Sequence, residues 1–483
     1  MKQIFARLSR RLIRAQLART SPPSLLALGG KKALRCFQRA AAQSIAYRIL
    51  LDEAGVAPAT IETLADFTTR CPLLEKANTF RRFAISDLMA KDIRPQQIAS
   101  ILTSSGHGAN GYALGLSTRA QMLSTPAMID LGLDMAFDTD RHRTLLINCL
   151  PMGVTFQSNA VCVANVSVRE DMACAIVEQA GNLFEQIILC GDPLFLKRLC
   201  DYSQAKALDW RQHRMNVVIG EETFSESFRA YLASRLGIDL ENADGGMIGS
   251  SMGVGELGLN LFNETRETIA VRRACDRSPT LLAELCGANA VNAPLPTFLA
   301  FNPLRTFVEI IEPDGVGVGD LVITVLDLQA PVPLMRYRTG DRASRIDHQM
   351  LTSCMAKYKR DYTPPSLPMI ALHGRAKDRL PDDWHVDIFK NALYLQPDIA
   401  RSLSGAFRIA INDKKVLWRV QRAIDARTDC QIMAAALKEC VMQLHGRHAL
   451  ALEVECFDYA AFPYGQSIDY ERKFSYWVEQ PAR

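Results

Sequence analysis

Three short apolar segments constrain the fold of this chain most strongly. TLLINCLPM (144–152), FEQIILCG (184–191) and MNVVIG (215–220) each end near Gly or Pro. They are accompanied by the amphipathic stretches SVREDMACAIVEQAG and SESFRAYLASRLGI. Buried strands that alternate with helices predict an α/β fold with helices on the faces of a sheet.

The later part of the chain predicts further strands and a second domain. FVEIIEPDGVGVGDLVITVLD (307–327) is typical of a β-hairpin, and ALEVECFDY (451–459) belongs to a separate strand–helix pattern. The polar stretch HGRAKDRLPDD (373–383) indicates a boundary. We therefore expect a basic helical region at 1–35, a large domain with mixed sheets at 36–372 and a small α+β domain at 373–483.

The charge distribution excludes one class of partner. The first fifty residues hold 11 Lys or Arg and no acidic residue, whereas the remainder holds 45 basic and 52 acidic residues. A mildly acidic body argues against nucleic-acid binding, which normally requires a basic face.

The cysteines and histidines predict no metal site. The 13 cysteines form no CxxC pair, and His373, His385, Cys275 and Cys286 lack the spacing of metal ligands. Scattered cysteines favour reduced thiols and a cytoplasmic location. No apolar run reaches the ~18 residues of a membrane span.

The N-terminal segment MKQIFARLSRRLIRAQLART (1–20) predicts an amphipathic helix. Its apolar residues recur at helical spacing, mostly opposite the arginines; they are Ile4, Phe5, Leu8, Leu12, Ile13 and Leu17. Three interpretations remain open. The helix packs on the body of the protein, lies on an anionic membrane surface, or serves as an organelle-targeting peptide.

The stretch SSGHGANG (104–111) has the composition of a loop used for its backbone. Gly106 and Gly111 have the spacing of a P-loop, but Tyr112 and Ala113 replace the required Lys and Ser/Thr, so that interpretation fails. GVGELG (253–258) matches the dinucleotide pattern GxGxxG, but MIGSSM before it is a poor strand. A dehydrogenase is therefore only weakly indicated.

Six segments in order resemble the adenylate-forming superfamily, closest to its phenylacetate–CoA ligase branch. SSGHGANGYALG resembles the phosphate loop SSGTTGKP, and RYRTGD (336–341) matches Y-R-T-G-D. HGRAKDRL (373–380) resembles G-R-x-x-D-x-I. The other three are CPLLEK (71–76) for P-L-x-x-K, VVIGEETFSESFR (217–229) for G-G-E-x-x-S-E-x-x-R, and MGVGE (252–256) for Y-G-x-T-E. The six segments lie between residues 71 and 380, and the resemblance as a whole covers roughly residues 70 to 475.

This resemblance implies an AMP-forming acid–thiol ligase that uses ATP and Mg²⁺. A small carboxylic acid, aromatic in much of this branch, would become an acyl-adenylate. The acyl group would then pass to the thiol of coenzyme A, or to the phosphopantetheine arm of an acyl carrier protein.

The resemblance also implies roles for individual residues. Those around the β- and γ-phosphates would be Ser104, Ser105, Gly106, His107, Gly108 and Asn110. Gly220 and Glu221 would line one face of the adenine, and Met252 and Gly253 stand where the family has its adenine-stacking segment. Asp341 would bind the ribose hydroxyls, and Arg375 would approach the ribose or the phosphate. Glu256 would bind Mg²⁺, Lys377 would lie near a hinge, and Lys473 would stabilise charge at the α-phosphate. Without the resemblance, Glu256 is explained as a favourable acidic residue at a helix N-terminus.

Departures from the family pattern leave an alternative open. His107 and Gly108 stand where threonines are usual, Asn110 replaces a lysine, and Gly255 replaces a threonine. Asn110 donates hydrogen bonds but carries no charge. The alternative is a catalytically degenerate nucleotide-binding or scaffold protein of the same fold. Met152 and Phe156 are equally well explained as lining of the acid pocket or as core.

Overall fold

The computed structural model describes residues 2–103, 112–242, 244–358, 362–382, 384–411, 415–445, 451–464, 469–470 and 474–477. Its helices are α1 (Lys2–Arg19), α2 (Pro22–Gln43), α3 (Ile45–Glu53), α4 (Leu64–Arg70), α5 (Ile85–Leu88), α6 (Arg119–Phe137), α7 (Glu170–Ala180), α8 (Pro193–Ala205), α9 (Glu226–Leu236), α10 (Arg266–Arg277), α11 (Pro279–Cys286), α12 (His348–Tyr358), α13 (Val386–Ala392), α14 (Pro397–Arg401) and α15 (Cys430–His445).

The strands complete the element order. They are β1 (Ile98–Thr103), β2 (Leu114–Thr118), β3 (Thr144–Asn148), β4 (Cys162–Asn165), β5 (Gln186–Gly191), β6 (Arg214–Ile219), β7 (Ile248–Val254), β8 (Gly258–Asn263), β9 (Thr297–Phe301), β10 (Thr306–Ile311), β11 (Gly319–Val325), β12 (Tyr337–Ile346), β13 (Met369–Arg375), β14 (Leu403–Ile411), β15 (Lys415–Arg422) and β16 (Ala451–Phe457).

One large sheet contains most of these strands, in the order β10-β11-β12-β13-β9-β8-β7-β6-β5-β3-β4. The run β4-β3-β5-β6-β7 is parallel, and the pairs from β7 to β10 are antiparallel. Strands β3 and β5 are buried along their whole length, as their continuous apolar sequences predict. The predicted α/β fold with a large mixed sheet and flanking helices is confirmed.

Helices cover the parallel part of the sheet. Helix α9 begins where Ser225 accepts a hydrogen bond from Phe228 N, and it ends at Gly237 with a φ of 70°. A left-handed residue at this position favours glycine, which has no Cβ to clash. The two segments predicted to be amphipathic helices are α7 and α9.

Strand β7 corrects one sequence-based expectation, since MIGSSM forms a strand. Its sequence IGSSMGV has neither alternation nor an apolar run, but β6 and β8 pair with it on both sides. The buried Glu264 carboxylate accepts a hydrogen bond from Ser250 N at 2.9 Å and from Arg229 Nη2 at 2.8 Å. Tertiary pairing therefore overrides the weak local preference for a strand.

The C-terminal part contains a three-stranded sheet in the order β14-β15-β16 and the helices α13 to α15. Strand β13, which carries Arg375, still belongs to the large sheet. The C-terminal part shares an apolar core with the parallel part of the large sheet, since Trp384, Phe389 and Trp418 join the cluster that contains Ile187 and Phe228. No helix of the described residues is long and apolar enough to cross a membrane.

Candidate active site

The carboxyl ends of β5 and β6 form the first wall of the candidate site. Gly220 follows β6 and donates from its backbone N to Gly191 O at 3.1 Å. Glu221 has a φ of 68°, so the chain turns sharply where the resemblance expects an adenine-binding segment. Ligands of open parallel sheets bind in the crevice at the carboxyl ends of the strands, which is where these two residues lie.

Glu256 lies in the turn between β7 and β8 and is buried. Its Oε1 accepts a hydrogen bond from the Tyr337 hydroxyl at 2.6 Å, and Lys76 Nζ lies 3.6 Å from the same oxygen. Its Oε2 is buried without a hydrogen-bond partner among the described residues. Burial, together with the negative charge of Glu256, raises the pKa of Tyr337 well above its ordinary range, so the phenol stays protonated and donates.

The alternative explanation of Glu256 as a helix N-terminal residue is wrong, because strand β8 follows it instead of a helix. The orphaned Oε2 fits a different role. Mg²⁺ prefers oxygen ligands and takes few from the protein when phosphates supply the others. The residues present at this turn therefore fit one carboxylate ligand for the ion.

Two further motifs converge on the Glu256 turn. The CPLLEK segment runs beside the start of β12, since Leu74 N donates to Arg336 O at 3.0 Å and Arg338 N donates to Leu74 O at 2.8 Å. This pairing places Lys76 next to Glu256. The CPLLEK segment and the start of β12 lie more than 250 residues apart in sequence, and both contact the Glu256 carboxylate, through Lys76 and Tyr337.

The glycine-rich loop itself lies outside the described residues, and so do its predicted phosphate contacts Ser104, Ser105, Gly106, His107, Gly108 and Asn110. The strands on either side of it, β1 and β2, form an antiparallel hairpin. A Cβ at Gly115 of β2 would collide with Gly255 O and would lie 3.5 Å from the Glu256 Cα. The strand that leaves the loop therefore touches the turn that carries Glu256.

Met252 and Gly253 lie on β7, ahead of the same turn. Met252 packs against the apolar cluster of the antiparallel strands, while Gly253 is exposed. A Cβ at Gly253 would lie 2.8 Å from Leu259 Cα, so the β7–β8 hairpin requires a glycine here. GVGELG thus forms an antiparallel hairpin and not the strand–turn–helix of a dinucleotide site, and the dehydrogenase interpretation is wrong.

Asp341 and Arg375 face each other across β12 and β13. The two residues are register partners, and Arg375 Nε lies 3.4 Å from Asp341 Oδ1. Asp341 is buried, and its backbone N donates to Thr339 Oγ1 at 3.2 Å. The YRTGD and GRAKD motifs therefore meet in one ion pair.

A cluster of charges joins the Gly220–Glu221 segment to the C-terminal part, and sequence reasoning missed it. Lys390 of α13 lies 2.9 Å from Glu222 Oε2 and 3.8 Å from Asp387 Oδ1. Burial opposes the charge of Lys390, but the two carboxylates outweigh it and raise the pKa of Lys390. The ring of Tyr476 lies 4.5 Å below the Lys390 ammonium. Lys473, the predicted catalytic lysine, lies outside the described residues, and Lys377 lies in the short turn after β13.

Asp192 is a second missed residue at this crevice. It follows β5 and caps α8, since its Oδ1 accepts from Phe195 N at 3.0 Å. Its Oδ2 is buried without a partner among the described residues. Burial, reinforced by the charges of Glu222 and Glu221, raises the pKa of Asp192 to about 7. The sequence signal was available, because Asp followed by Pro after a buried strand is a typical helix start.

Three further residues lie outside these contacts. Phe156 packs against the cluster around Ile188, and Met152 has a φ of 60° in the loop after β3. His373 Nε2 lies 3.0 Å from Ser344 Oγ, and burial lowers the pKa of His373 to about 4. The described residues contain no group of three or more His, Cys, Asp or Glu able to hold a metal ion.

Comparisons with known proteins identify the fold. No protein-family model matches the chain, and no curated protein matches it significantly. Structures of 2-hydroxyisobutyryl-CoA ligase in the postadenylation state match it with TM-scores of 0.64, in complex with R3-HIB-AMP, and 0.65, in complex with 2-HIB-AMP. The same ligase in the thioesterification state, with 2-HIB-AMP and CoA, gives a TM-score of 0.54. Identities are 13, 13 and 14%, and each alignment covers 95% of this chain and 89% of the other. The chain therefore has the fold of these acyl-CoA ligases.

Proposed function

We propose that this protein activates a carboxylic acid with ATP to form an acyl-adenylate and transfers the acyl group to a thiol. One observation carries the proposal. The orphaned Oε2 of Glu256 lies in a turn that the glycine-rich hairpin touches, as a ligand of a phosphate-bound Mg²⁺ would. The fold shared with acyl-CoA ligases supports the same reaction.

We assign separate roles in the first half-reaction to the described residues around Glu256, Asp341 and Gly220. Tyr337 holds one oxygen of Glu256 and leaves the other for Mg²⁺. When bound, Mg²⁺ neutralises phosphate charge and orients the leaving pyrophosphate. Asp341 accepts hydrogen bonds from the ribose hydroxyls, and Arg375 holds the Asp341 carboxylate in place. Gly220 and Glu221 line one face of the adenine, with Met252 and Gly253 near the other.

Lys473 completes the proposed chemistry by stabilising charge at the α-phosphate during attack by the carboxylate. The described residues on both sides of it support this role. Tyr470 packs on Phe195 of α8 with ring centroids 5.7 Å apart, and Tyr476 packs on Lys390 near Glu222. Tyr470 therefore lies beside the helix that follows β5, and Tyr476 lies beside Lys390, the ion-pair partner of Glu222 after β6.

Carboxylate-dependent exchange of pyrophosphate into ATP tests the first half-reaction. We expect exchange in the wild type, and a loss of at least ~10²-fold in Glu256→Gln and in Lys473→Ala, because each removes a charge that stabilises the transition state. The matched control is Glu241→Gln, an exposed residue paired only with arginines of α10 among the described residues, which keeps its rate. Absence of exchange across a broad panel of acids, from protein that folds normally, would support the catalytically degenerate alternative.

The substrate and the acceptor need separate assays. Trapping of the adenylate with hydroxylamine across aliphatic and aromatic acids identifies the acid, and we expect aromatic acids to react best. Coenzyme A and a carrier protein loaded with phosphopantetheine are then offered to the adenylate, and thioesters are measured by mass.

Asn110→Lys tests the phosphate loop, because an added cation should tighten ATP binding if the loop still binds phosphate but does so weakly.

A further inference from the structure

Helix α1 is attached to the body of the protein by its basic face. Arg10 is only 7% exposed, and its Nε donates to Asp140 Oδ2 at 3.4 Å, while its Nη1 lies 3.7 Å from Asp130 Oδ2. Arg14 Nη1 lies 3.1 Å from the Asp134 carboxylate. These aspartates belong to α6 and to the turn that follows it. Ion pairs, rather than apolar contacts, hold most of α1 in place.

The apolar face of α1 points the other way. The side chains on it are Phe5, 78% exposed, Leu12, 71%, Ile4, 64%, and Leu8, 51%. At 3.6 residues per turn, these four lie within an arc of roughly 100°, centred opposite Arg10 and Arg14. Leu17 is the buried exception. Helix α1 does pack on the body, as the first of the three interpretations expects, but its apolar stripe faces outward, whereas a helix that merely covers a globular body buries this stripe.

The outward side of α1 is bordered by cations. Arg11 and Arg19 are exposed, and neither forms an ion pair with a described residue. No Asp or Glu occurs before Asp52, so every carboxylate that pairs with α1 lies on the inward side. The outward side therefore combines bulky apolar side chains with uncompensated positive charge.

We propose that α1 binds the surface of an anionic lipid bilayer through this outward face. An interfacial helix lies parallel to the bilayer with its apolar side ~5–10 Å below the headgroups and its cations against anionic lipids. A second copy of the chain fits less well, because it would present the same cations around the same stripe. The inward ion pairs fix the orientation, so the whole protein docks without α1 leaving α6.

Vesicle flotation of the full chain tests the proposal. The probes are vesicles of phosphatidylcholine alone and vesicles that also contain phosphatidylserine. We expect flotation with the anionic vesicles only, weakened by added salt. The variant Phe5→Glu/Leu12→Glu should lose at least ~100-fold in apparent affinity for the anionic vesicles, since it removes two apolar side chains that would enter the bilayer and adds two negative charges.

A matched control separates the helix from a general charge effect. Leu183→Glu/Ile432→Glu changes two exposed apolar residues elsewhere by the same charge, and it should float as the wild type does. Circular dichroism and the melting temperature of both double variants show that they fold. Equal flotation of the α1 variant and the wild type would overturn the proposal. So would failure of the wild type to bind, or a dimer in solution that the α1 variant dissociates without any vesicle binding.

Discussion

We expect the buried Asp192 to make the free energy of unfolding of this protein depend on pH near neutrality. Its folded pKa of about 7 lies above the ordinary 3.8, so the folded state favours the neutral acid. The resulting stabilisation is fully present below the unfolded pKa and is lost as pH rises through 7. Asp192→Asn removes this dependence, because an asparagine keeps a cap for α8 and carries no charge at any pH.

The magnitude follows from the two pKa values. Between pH 5 and pH 8 the free energy of unfolding of the wild type should fall by up to about 2–3 kcal/mol relative to that of Asp192→Asn. This figure is an upper bound because the folded state relaxes around a buried charge. Urea unfolding of both proteins at the two pH values measures it. Any effect that does not depend on pH, such as a weaker cap, cancels in the difference.

Asp209→Asn provides the control. Asp209 also caps a helical turn, but its hydrogen bond from Arg211 lowers its pKa. Raising the pH from 5 to 8 should therefore not stabilise Asp209→Asn relative to the wild type, as measured by the difference in their free energies of unfolding. If the difference for Asp192→Asn is also constant over this range, Asp192 ionises normally and the reasoning from its burial is refuted.

Two further predictions concern contacts around the site. Lys390→Met removes the ammonium that pairs with Glu222 and should lower the free energy of unfolding by ~1–3 kcal/mol in urea titrations, whereas the double variant with Glu222→Gln should recover most of the loss. Gly115→Ala places a methyl group against Gly255 O and should slow pyrophosphate exchange at least ~10-fold. Gly132→Ala, whose added methyl group meets no close contact, should leave exchange unchanged.

The sequence predicted those parts of the fold in which one segment carries its own signal. The apolar runs of β3, β5 and β6 alternate with helices, and a hairpin joins β10 to β11. Asp341 and Arg375 were also accessible, because each belongs to a distinctive motif and the sheet only has to pair the two strands. Strand β7 was missed because its pairing partners, and not its own residues, determine it.

Other features depend on partners distant in sequence. The periodicity of α1 defines an apolar and a basic face, but it cannot tell which face turns inward. That choice is made by Asp130, Asp134 and Asp140, which lie more than a hundred residues later. The pKa of Asp192 likewise depends on burial by surrounding elements. Sequence patterns show which chemistry a segment offers, and tertiary contacts decide where it is used.

The contact between α9 and the C-terminal part leads to a final prediction. Ser227 Oγ lies 2.6 Å from Asn391 Oδ1 and donates to Asn391 O at 2.8 Å. The chain as a whole superposes on the postadenylation-state structure of 2-hydroxyisobutyryl-CoA ligase with a TM-score of 0.65 and on the thioesterification-state structure with a TM-score of 0.54. We expect the C-terminal part to move between the two half-reactions, with a hinge near Lys377.

A disulfide between cysteines at positions 227 and 391 should therefore separate the two steps. The oxidised variant should form acyl-adenylate and exchange pyrophosphate, but it should produce little thioester until the disulfide is reduced. Ser227→Cys alone, oxidised in the same way, shows whether oxidation of the 13 native cysteines affects either step. Thioester formation at the full rate by the cross-linked protein would show that no such movement is needed. Loss of both steps would show that the described arrangement is not the one that forms the adenylate.

The Lys390–Glu222 pair and the shared apolar core must also break during such a movement. Lys390→Met weakens the ion pair and should therefore speed thioester formation if domain movement limits the rate.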